Sequence, residues 1–522
     1  MIDSLLIIIA AIYFLVVTLL FVYGVNFFYL TFLASQRRDA IPPPPALVPL
    51  PRVTVQLPIY NELYVAERLI DAVARLDYPA DLLEIQVLDD STDETTEIIH
   101  AAVQRLKVSG ISIEQLRRAT RVGFKAGALA SGMAHARGEF VAIFDADFIP
   151  PPDFLKRALP YFANPRVAFV QTRWAHVNRD YSLLTLLQSL IIDAHFMVEQ
   201  FARWRAGYWF NFSGTAGIWR RAAMDDAGGW KADTLTEDLD LSYRAFLRGW
   251  HALYLRDVEV PAELPVTLTA YRRQQHRWAR GSLECALKYI PPVWKANITL
   301  AQKIQATIHL TGYGIHILMF ALALSFPALV VLPEHFPGFH NIFNLALVFN
   351  LTTFAPLLLT MVAQRQLGRR GWQVLPGALF LTALGAGMLL NTVRGALQIT
   401  EVTSGHWAAE RCLRADTQIW NLPQARHVDA ATLSSSARCA RILRICLRAF
   451  QPRHDDLCDF SQQLGHCRVC LDLLRRLAVH LRACHRTDAR GLRAKGKARA
   501  SHARNAARYS PREICSTVAR VL

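Results

Sequence analysis

Long apolar stretches at both ends of a polar middle region dominate the pattern of the chain. Residues 5–33 are almost wholly apolar and are long enough to cross a bilayer. A secretory signal peptide is excluded because no basic residues precede the stretch and because it is too long. We therefore expect a transmembrane helix over residues 1–36. Transmembrane or interfacial helices are also expected within residues 303–400, from the apolar stretches at 309–333, 342–363 and 374–393.

Arginines beside these stretches orient the chain. Arg37 and Arg38 follow the first stretch directly, so the positive-inside rule places the next segment in the cytoplasm. Three arginines between the last two stretches mark a second cytoplasmic loop, and they are Arg365, Arg369 and Arg370. The last stretch runs into polar residues and is either spanning or interfacial. The expected location is the cell inner membrane, crossed several times, with residues 46–302 forming a cytoplasmic domain.

The middle region contains no long apolar run and alternates strand patterns with helix patterns. Buried strands are expected over 52–58, 84–88 and 140–144, with a helix over about 64–76 between the first two. Strands that alternate with helices predict an α/β domain with a Rossmann-like sheet. In such sheets ligands bind beyond the carboxyl ends of the strands.

Two acidic residues follow the second of these strands. Asp89 and Asp90 lie at its carboxyl end, where a ligand is expected. Ser91 and Glu94 have the spacing of a capping box, which predicts that the next helix begins there.

A second acidic pair follows the strand at 140–144. Asp145 and Asp147 are two apart on extended backbone, so their side chains share a face. Two converging carboxylates suit a hard divalent cation, because Mg²⁺ is commonly held by one or two carboxylates together with substrate phosphates. Loop acids in solvent are the alternative, but the position after an apolar strand favours a metal site.

A third acidic cluster and an aromatic motif come later in the domain. Glu237 and Asp238 lie at the start of a helix pattern. The helix dipole favours carboxylates at this position, so an ordinary acidic helix N-terminus is the alternative to a functional site. Gln274, Arg277 and Trp278 then form a Q-x-x-R-W sequence. Arginine can grip a diphosphate with paired donors, and tryptophan offers a flat face to a sugar ring. An ordinary amphipathic helix edge is the alternative for this second motif.

The order of these motifs resembles the membrane-bound processive β-glycosyltransferases of glycosyltransferase family two, which include cellulose synthase. The likeness covers roughly residues 50–400, and the mannan and glucomannan synthase-like branch is most similar. The stretches that carry it are residues 86–93, 123–129 and 212–220. The resemblance implies a GT-A-type mixed sheet domain that binds a nucleotide sugar, together with transmembrane α-helices.

The resemblance also implies roles for residues on the donor side. Asp90, with Asp89 beside it, would contact the nucleoside of the donor, and Lys125 would line the nucleotide pocket. Asp145 and Asp147 would hold Mg²⁺ or Mn²⁺ against the diphosphate.

On the acceptor side, Asp238 would be the general base that deprotonates the acceptor hydroxyl. Arg277 would lie near the donor diphosphate, and Trp278 would lie under the terminal sugar. The remaining residues implied at the acceptor are Gln274, Ser213, Gly214 and Thr215.

The implied reaction is an inverting transfer of a hexose from UDP-glucose or GDP-mannose to a β-linked polysaccharide. A single displacement is expected because the pattern supplies no nucleophile for two. Non-processive glycosylation of a membrane lipid is the alternative enzyme. A membrane-anchored scaffold or nucleic-acid binder is a third hypothesis, although we expect the partners to be donor, glycan acceptor and lipid bilayer, and no nucleic acid. A partner subunit is not predictable from the sequence.

Composition divides the chain near residue 405. Overall, 52% hydrophobic and 19% charged residues exclude a disordered chain. Residues 411–522 hold 20 Arg, 2 Lys and 8 acidic residues, so this tail carries most of the net charge of +16. The basic, Cys-rich tail at 401–522 could bind anionic lipid or nucleic acid. It could also be translated from a shifted reading frame, and its loose cysteine spacing argues against zinc.

Overall fold

The computed structural model describes residues 2–36, 44–45, 47–335 and 351–398. The tail predicted at 401–522 lies outside the described residues, as do Arg37, Arg38 and the first part of the span expected at 342–363.

Seven strands form one mixed sheet in the order β3-β2-β1-β4-β6-β5-β7. The strands are β1 (Val53–Ile59), β2 (Leu83–Asp89), β3 (Ile113–Arg117), β4 (Phe140–Ile143), β5 (Val167–His176), β6 (Gly217–Arg220) and β7 (His251–Ala262). The first four strands in this order are parallel, whereas β6 runs antiparallel to both β4 and β5. The predicted α/β class and the three expected strands are confirmed.

Fourteen α-helices are described around and beside the sheet. Those before β6 are α1 (Ile2–Ser35), α2 (Ala66–Ala74), α3 (Thr95–Val108), α4 (Phe124–Met133), α5 (Phe154–Ala158), α6 (Leu183–Ala194) and α7 (Phe201–Arg205). Those after it are α8 (Arg221–Asp226), α9 (Glu237–Leu247), α10 (Leu268–Lys295), α11 (Leu300–Leu310), α12 (Gly314–His335), α13 (Ala355–Gln366) and α14 (Leu375–Leu397).

The strand patterns explain how the core forms. Strands β1, β2 and β4 are buried along almost their whole length, as expected for parallel strands covered on both faces. Helix α2 packs its apolar stripe, which includes Leu69 and Val73, into the same core. A second apolar cluster on the other side of the sheet includes Phe169, Trp219 and Phe246. The carboxyl ends of β1, β2 and β4 are therefore held at one rigid edge.

The membrane helices are partly as expected. Within the described residues, two helices are long and apolar enough to cross a membrane, Leu6–Ser35 and Gly371–Leu397. A third span arises if Leu300–Leu310 and Gly314–Phe326, which are bent by 67°, cross as one broken helix. The predicted domain boundaries and the orientation of the chain stay predictions.

The predicted capping box at Ser91 is wrong. Helix α3 begins at Thr95, and Glu94 makes no side-chain cap. The Ser91 hydroxyl instead accepts a hydrogen bond from the backbone N–H of Asn61 at 3.0 Å. Ser91 therefore joins the loop after β1 to the loop after β2, and the sequence spacing alone did not distinguish these two uses.

Candidate active site

The two acidic residues at the end of β2 have different surroundings. The Asp89 side chain is completely buried and accepts hydrogen bonds from the Ser91 backbone N–H and from Gln115 Nε2, both at 2.8 Å. Asp90 accepts a hydrogen bond from Arg118 Nε at 3.0 Å and keeps part of its carboxylate exposed. Asp89 thus supports the turn, and Asp90 is the member of the pair placed to meet a ligand.

Two arginines beside Asp90 were not among the predicted site residues. Arg118 also donates to the carbonyl oxygens of Val122 and Phe124, at 2.8 and 3.1 Å. The guanidinium of Arg121 lies 3.2 Å from the centroid of the Tyr60 ring. These contacts tie Asp90 to the start of α4. An arginine cluster directly before residues 123–129 was the only sequence signal for them.

The acidic pair after β4 lies in a crowded group of charges. Lys125 Nζ is 2.5 Å from Asp145 Oδ1. The pKa of Asp147 is raised to about 7, chiefly by burial and then by the neighbouring Asp145. Glu62, just after β1, has its pKa raised to about 7 by burial and then by Asp145. Three carboxylates therefore share one partly buried edge, and Glu62 was missed because a single acid in a loop carries no pattern.

This group fits a divalent cation that is shared with a substrate. The donors are carboxylate oxygens, which hard cations prefer. Within the described part of the chain, no three metal-ligating side chains form a closed cluster. Two carboxylates, Asp145 and Asp147, leave the other coordination positions to diphosphate oxygens and water, as is common for Mg²⁺. The excess negative charge around Asp147 also favours a cation.

The segment Ser213-Gly214-Thr215 connects this group to α9. The Thr215 hydroxyl accepts a hydrogen bond from the Asp145 backbone N–H at 2.8 Å. Lys125 Nζ donates to the Gly214 carbonyl at 3.0 Å. Gly214 has a φ of +78°, and a Cβ there would lie 3.0 Å from Asp238 Oδ2. Glycine is required by both the backbone conformation and the close approach of the carboxylate.

Asp238 lies in the first turn of α9. Its Oδ1 accepts a hydrogen bond from the Leu239 backbone N–H at 2.8 Å. The pKa of Asp238 is raised to about 7, chiefly by burial and also by the adjacent Glu237, while Lys125 opposes both effects. A carboxylate with a pKa near neutrality suits proton abstraction, and its Oδ2, beside Gly214, accepts no hydrogen bond from the described residues.

Residues near Asp238 hold α9 against α10. Asp240 is fully buried and is bonded to Arg244, Lys288 and Tyr289. A Cβ at Gly281 of α10 would lie 2.6 Å from the Thr236 side chain, so the two helices meet without a side chain between them. Cys285 of α10 is fully buried here. The helix that carries Q-x-x-R-W is thereby fixed relative to Asp238.

The Q-x-x-R-W residues are linked to the site at longer range. Arg277 is exposed, and its charge partly offsets the raised pKa of Glu62. The Trp278 ring is half-buried, with its centroid 6.4 Å from that of Trp174. Gln274 lies one turn earlier on α10 and is half-buried. Direct contacts therefore join Asp145, Lys125, Gly214 and Asp238, while Asp90 and α10 border this group.

Comparison with known families gives two matches. Residues 51–281 match the family model described as glycosyltransferase like family 2, and residues 220–369 match the one described as cellulose synthase. Together with the mixed sheet, these matches confirm the predicted GT-A-type fold and the suspected family.

Plant enzymes are among the most similar relatives. Glucomannan 4-beta-mannosyltransferase 2 of Arabidopsis thaliana is 50% identical over 236 residues, which are 44% of each chain. Glucomannan 4-beta-mannosyltransferase 1 of Oryza sativa subsp. japonica is 42% identical over 294 residues, 54% of this chain and 56% of that one. The chain therefore spans about half the length of the curated relatives it matches.

A solved structure is similar at lower identity. The mannosyltransferase PcManGT from Pyrobaculum calidifontis, in complex with GDP-Man and Mn²⁺, is 23% identical with a TM-score of 0.45. The likeness covers 70% of this chain and 98% of that one.

Proposed function

We propose that the chain, whose residues 51–281 match the glycosyltransferase like family 2 model, transfers a hexose from a nucleotide sugar to a β-linked polysaccharide at the inner membrane. The donor is GDP-mannose or UDP-glucose. The names of the plant relatives favour mannose and a 4-linked product. The proposal rests on one observation: Lys125 bonds to both Asp145 and the Gly214 carbonyl, and Gly214 closely approaches Asp238.

Asp238 is the proposed general base. Its carboxylate accepts the proton of the acceptor hydroxyl as the acceptor oxygen bonds to the anomeric carbon. The bond from that carbon to the phosphate oxygen breaks in the same displacement. The anomeric configuration inverts, so an α-linked donor gives a β-linked product.

The leaving diphosphate gains negative charge as the bond breaks. Lys125 lies in the charged group, and Arg277 borders it, so both are placed to offset this charge. Asp145 and Asp147 would hold Mg²⁺ or Mn²⁺, which when bound supplies charge neutralisation at the diphosphate. Asp90 would meet the nucleoside, held in place by Arg118.

The acceptor is proposed to lie along α10 and the segment Ser213-Gly214-Thr215. Trp278 and Trp174 offer adjacent aromatic faces for the terminal sugars. Gly214 leaves space beside Asp238 for the incoming hydroxyl, because any side chain there would press on the carboxylate. Gln274 adds a polar side chain one turn away on α10.

The test is to incubate membranes that contain the full chain with radiolabelled GDP-mannose or UDP-glucose, with Mg²⁺, Mn²⁺ or EDTA. We expect metal-dependent label in a polymer that is resistant to organic solvent. Asp145→Asn should abolish this label, whereas the exposed Asp257→Asn is the matched control. A single sugar on an organic-soluble product would support lipid glycosylation instead. No transfer from either donor would contradict the proposal.

A further inference from the structure

A cleft of about 340 Å³ lies between α6 and the segment that begins the Gly371–Leu397 span. It shares no lining residue with the candidate active site. Its wall combines three arginines with large apolar side chains and includes one acid, Asp180, which is bonded to Arg179. The arginines are Arg179, Arg369 and Arg370, and the apolar side chains include Leu183 and Phe380. A cleft lined in this way fits a ligand with an anionic head and an apolar body.

The three arginines differ in how they are engaged. Arg369 Nη1 donates to Asp193 Oδ2 and to Gln364 Oε1, both at 2.9 Å, so its guanidinium is fixed. Arg370 is exposed and forms no ion pair with any residue that the structure describes. Arg179 bonds to the exposed Asp180, while its Nε is buried without a hydrogen-bond partner in the described part of the chain. Arg179 and Arg370 therefore retain capacity for an anion.

The apolar part of the wall is continuous with the membrane helix. Leu183, Leu186 and Leu190 line the cleft from one face of α6, at helical spacing. Phe380 lines it from α14. Leu183 is 49% exposed and Phe380 is 52% exposed, which leaves apolar surface for a ligand to cover.

We propose that this cleft binds an anionic phospholipid, with the phosphate at Arg179 and Arg370 and an acyl chain along Leu183 and Phe380. A phospholipid is favoured over free phosphate because the span that would enter the bilayer begins at the cleft, and because phosphate alone would leave the leucines in water. The proposal does not depend on the sugar donor or the product.

Binding should also stabilise the fold around α6. Asp193 of α6 accepts hydrogen bonds from Gln364 at 2.8 Å and lies 3.1 Å from His176 at the end of β5. Arg369 completes this buried group from the edge of the cleft. A ligand that binds only the folded chain raises its stability in proportion to the logarithm of ligand concentration over Kd.

The experiment uses the purified full chain in a neutral detergent. Binding of fluorescent phosphatidylglycerol is measured against phosphatidylcholine, glycerol phosphate and inorganic phosphate, and the melting temperature is recorded with each. Arg370→Gln should weaken phosphatidylglycerol binding about fivefold, and Arg179→Gln with Arg370→Gln should weaken it further. Arg365→Gln is the matched control, because Arg365 lies on the same segment but does not line the cleft.

We expect wild-type chain and Arg365→Gln to bind phosphatidylglycerol and to melt at a higher temperature in its presence. Neither phosphatidylcholine nor inorganic phosphate should bind to the chain or raise its melting temperature. Equal binding by wild type and Arg370→Gln would overturn the proposal, since the exposed Arg370 is not needed for folding. Competition by inorganic phosphate as strong as that by the lipid would overturn it too, because the site would then recognise a free anion. Leu183→Ser should weaken phosphatidylglycerol binding, because the apolar wall that would hold the acyl chain is interrupted.

Discussion

The two sides of the candidate site are held in place by different parts of the chain. The proposed donor side consists of Asp90, Asp145 and Asp147, which follow strands β2 and β4 and rest on a buried sheet. The proposed acceptor side consists of Gln274, Arg277 and Trp278 on α10. Helix α10 packs against α14, a candidate membrane span more than one hundred residues away. Under the proposed function, transfer requires the sheet edge and α10 to keep their spacing.

Contacts along α10 show how strongly the acceptor side depends on distant residues. Asn391 Nδ2 donates to the Arg272 carbonyl at 2.9 Å. His276 Nδ1 lies 3.2 Å from the Asn391 carbonyl oxygen. Tyr313, just before α12, donates to Gln275 Oε1 at 3.3 Å. Donor binding should therefore survive changes in the apolar helices α12 and α14, whereas transfer to the acceptor should not.

The largest effect is expected from Asp238→Asn, at the meeting point of the two sides. Loss of a general base should lower kcat by about 10² to 10⁴. Nucleotide binding should change little, because the proposed role of Asp238 is to accept the proton of the acceptor hydroxyl. The melting temperature should not fall, since burial and Glu237 already disfavour the carboxylate. Initial rates measure kcat, and calorimetric titration with GDP measures nucleotide binding.

Asp240→Asn is the matched comparison two residues along the same helix. Asp240 is buried in its contacts with Arg244 and Lys288, so this change should lower the melting temperature. Asp238 would be a structural residue if Asp238→Asn lowered the melting temperature as much as Asp240→Asn, or if its kcat stayed within a few-fold of wild type. Either result would contradict the proposed role of Asp238 as the general base.

The pH dependence of kcat/KM should follow the same carboxylate. The pKa of Asp238 is raised to about 7, chiefly by burial. The base form dominates above that pH, so kcat/KM should fall about tenfold per pH unit below it. Stability should change with pH in the opposite direction from kcat/KM. Because the pKa of Asp238 is higher in the folded chain, the folded chain binds this proton more tightly than the unfolded chain does. The contribution of Asp238 to the free energy of unfolding therefore falls as the pH rises from about 4 to 7.

Charged groups around Asp238 define the control for this profile. Glu237 raises its pKa and Lys125 lowers it. On the packed face of α10, Lys288 is paired with Asp240 and Arg280 with Glu284. Glu237→Gln should therefore shift the acidic limb to lower pH. A limb that does not move would assign the ionisation to another group.

A smaller effect, confined to the donor side, is expected from Arg118→Gln. Its removal leaves the largely buried Asp90 without its bonded arginine and frees the start of α4. We expect donor KM to rise about tenfold, the cost of a lost hydrogen bond to a charged group, with kcat within threefold of wild type. Arg105→Gln removes an exposed ion-paired arginine and should change neither. A loss confined to kcat would place Arg118 in the chemistry rather than in donor binding.

The sequence predicted the donor side better than the acceptor side for a physical reason. Asp145 follows a fully apolar strand, and the period of that strand fixes where its end must lie. Arg118 was missed because β3, which precedes it, is only partly buried and has a weak pattern. Its contact with Asp90 also joins two loops that are 28 residues apart.

Long-range packing explains what the sequence could not give on the acceptor side. The Q-x-x-R-W residues were recognised as a motif, yet nothing local indicates that His276 between them contacts α14. The role of Asp240 was likewise hidden, because an acid in the first turn of a helix is favoured by the dipole whether it is buried or exposed. The buried contacts of Asp240 with Lys288 and Tyr289 of α10 show that this acid supports the packing of the two helices.

The smallest and most selective effect should come from His276→Ala. The carbonyl of Asn391 can only accept a hydrogen bond, so Nδ1 of His276 carries the proton. Nε2 lies 3.1 Å from Gln398 Oε1, and a Cβ on Gly395 would lie 3.2 Å from the ring. The imidazole thus fills the space between α10 and α14. Its loss should let α10 move away from the donor side.

Such a movement separates the two activities of the site. Because small displacements of positioned groups are costly, polymer formation should fall about fivefold to tenfold in His276→Ala. Hydrolysis of the donor by water, which needs no aligned acceptor, should stay near wild type. His251→Ala removes an exposed histidine at the start of β7 and serves as the control. Equal losses of polymer formation and donor hydrolysis would mean that α14 supports the whole site, and the distinction between its two sides would disappear.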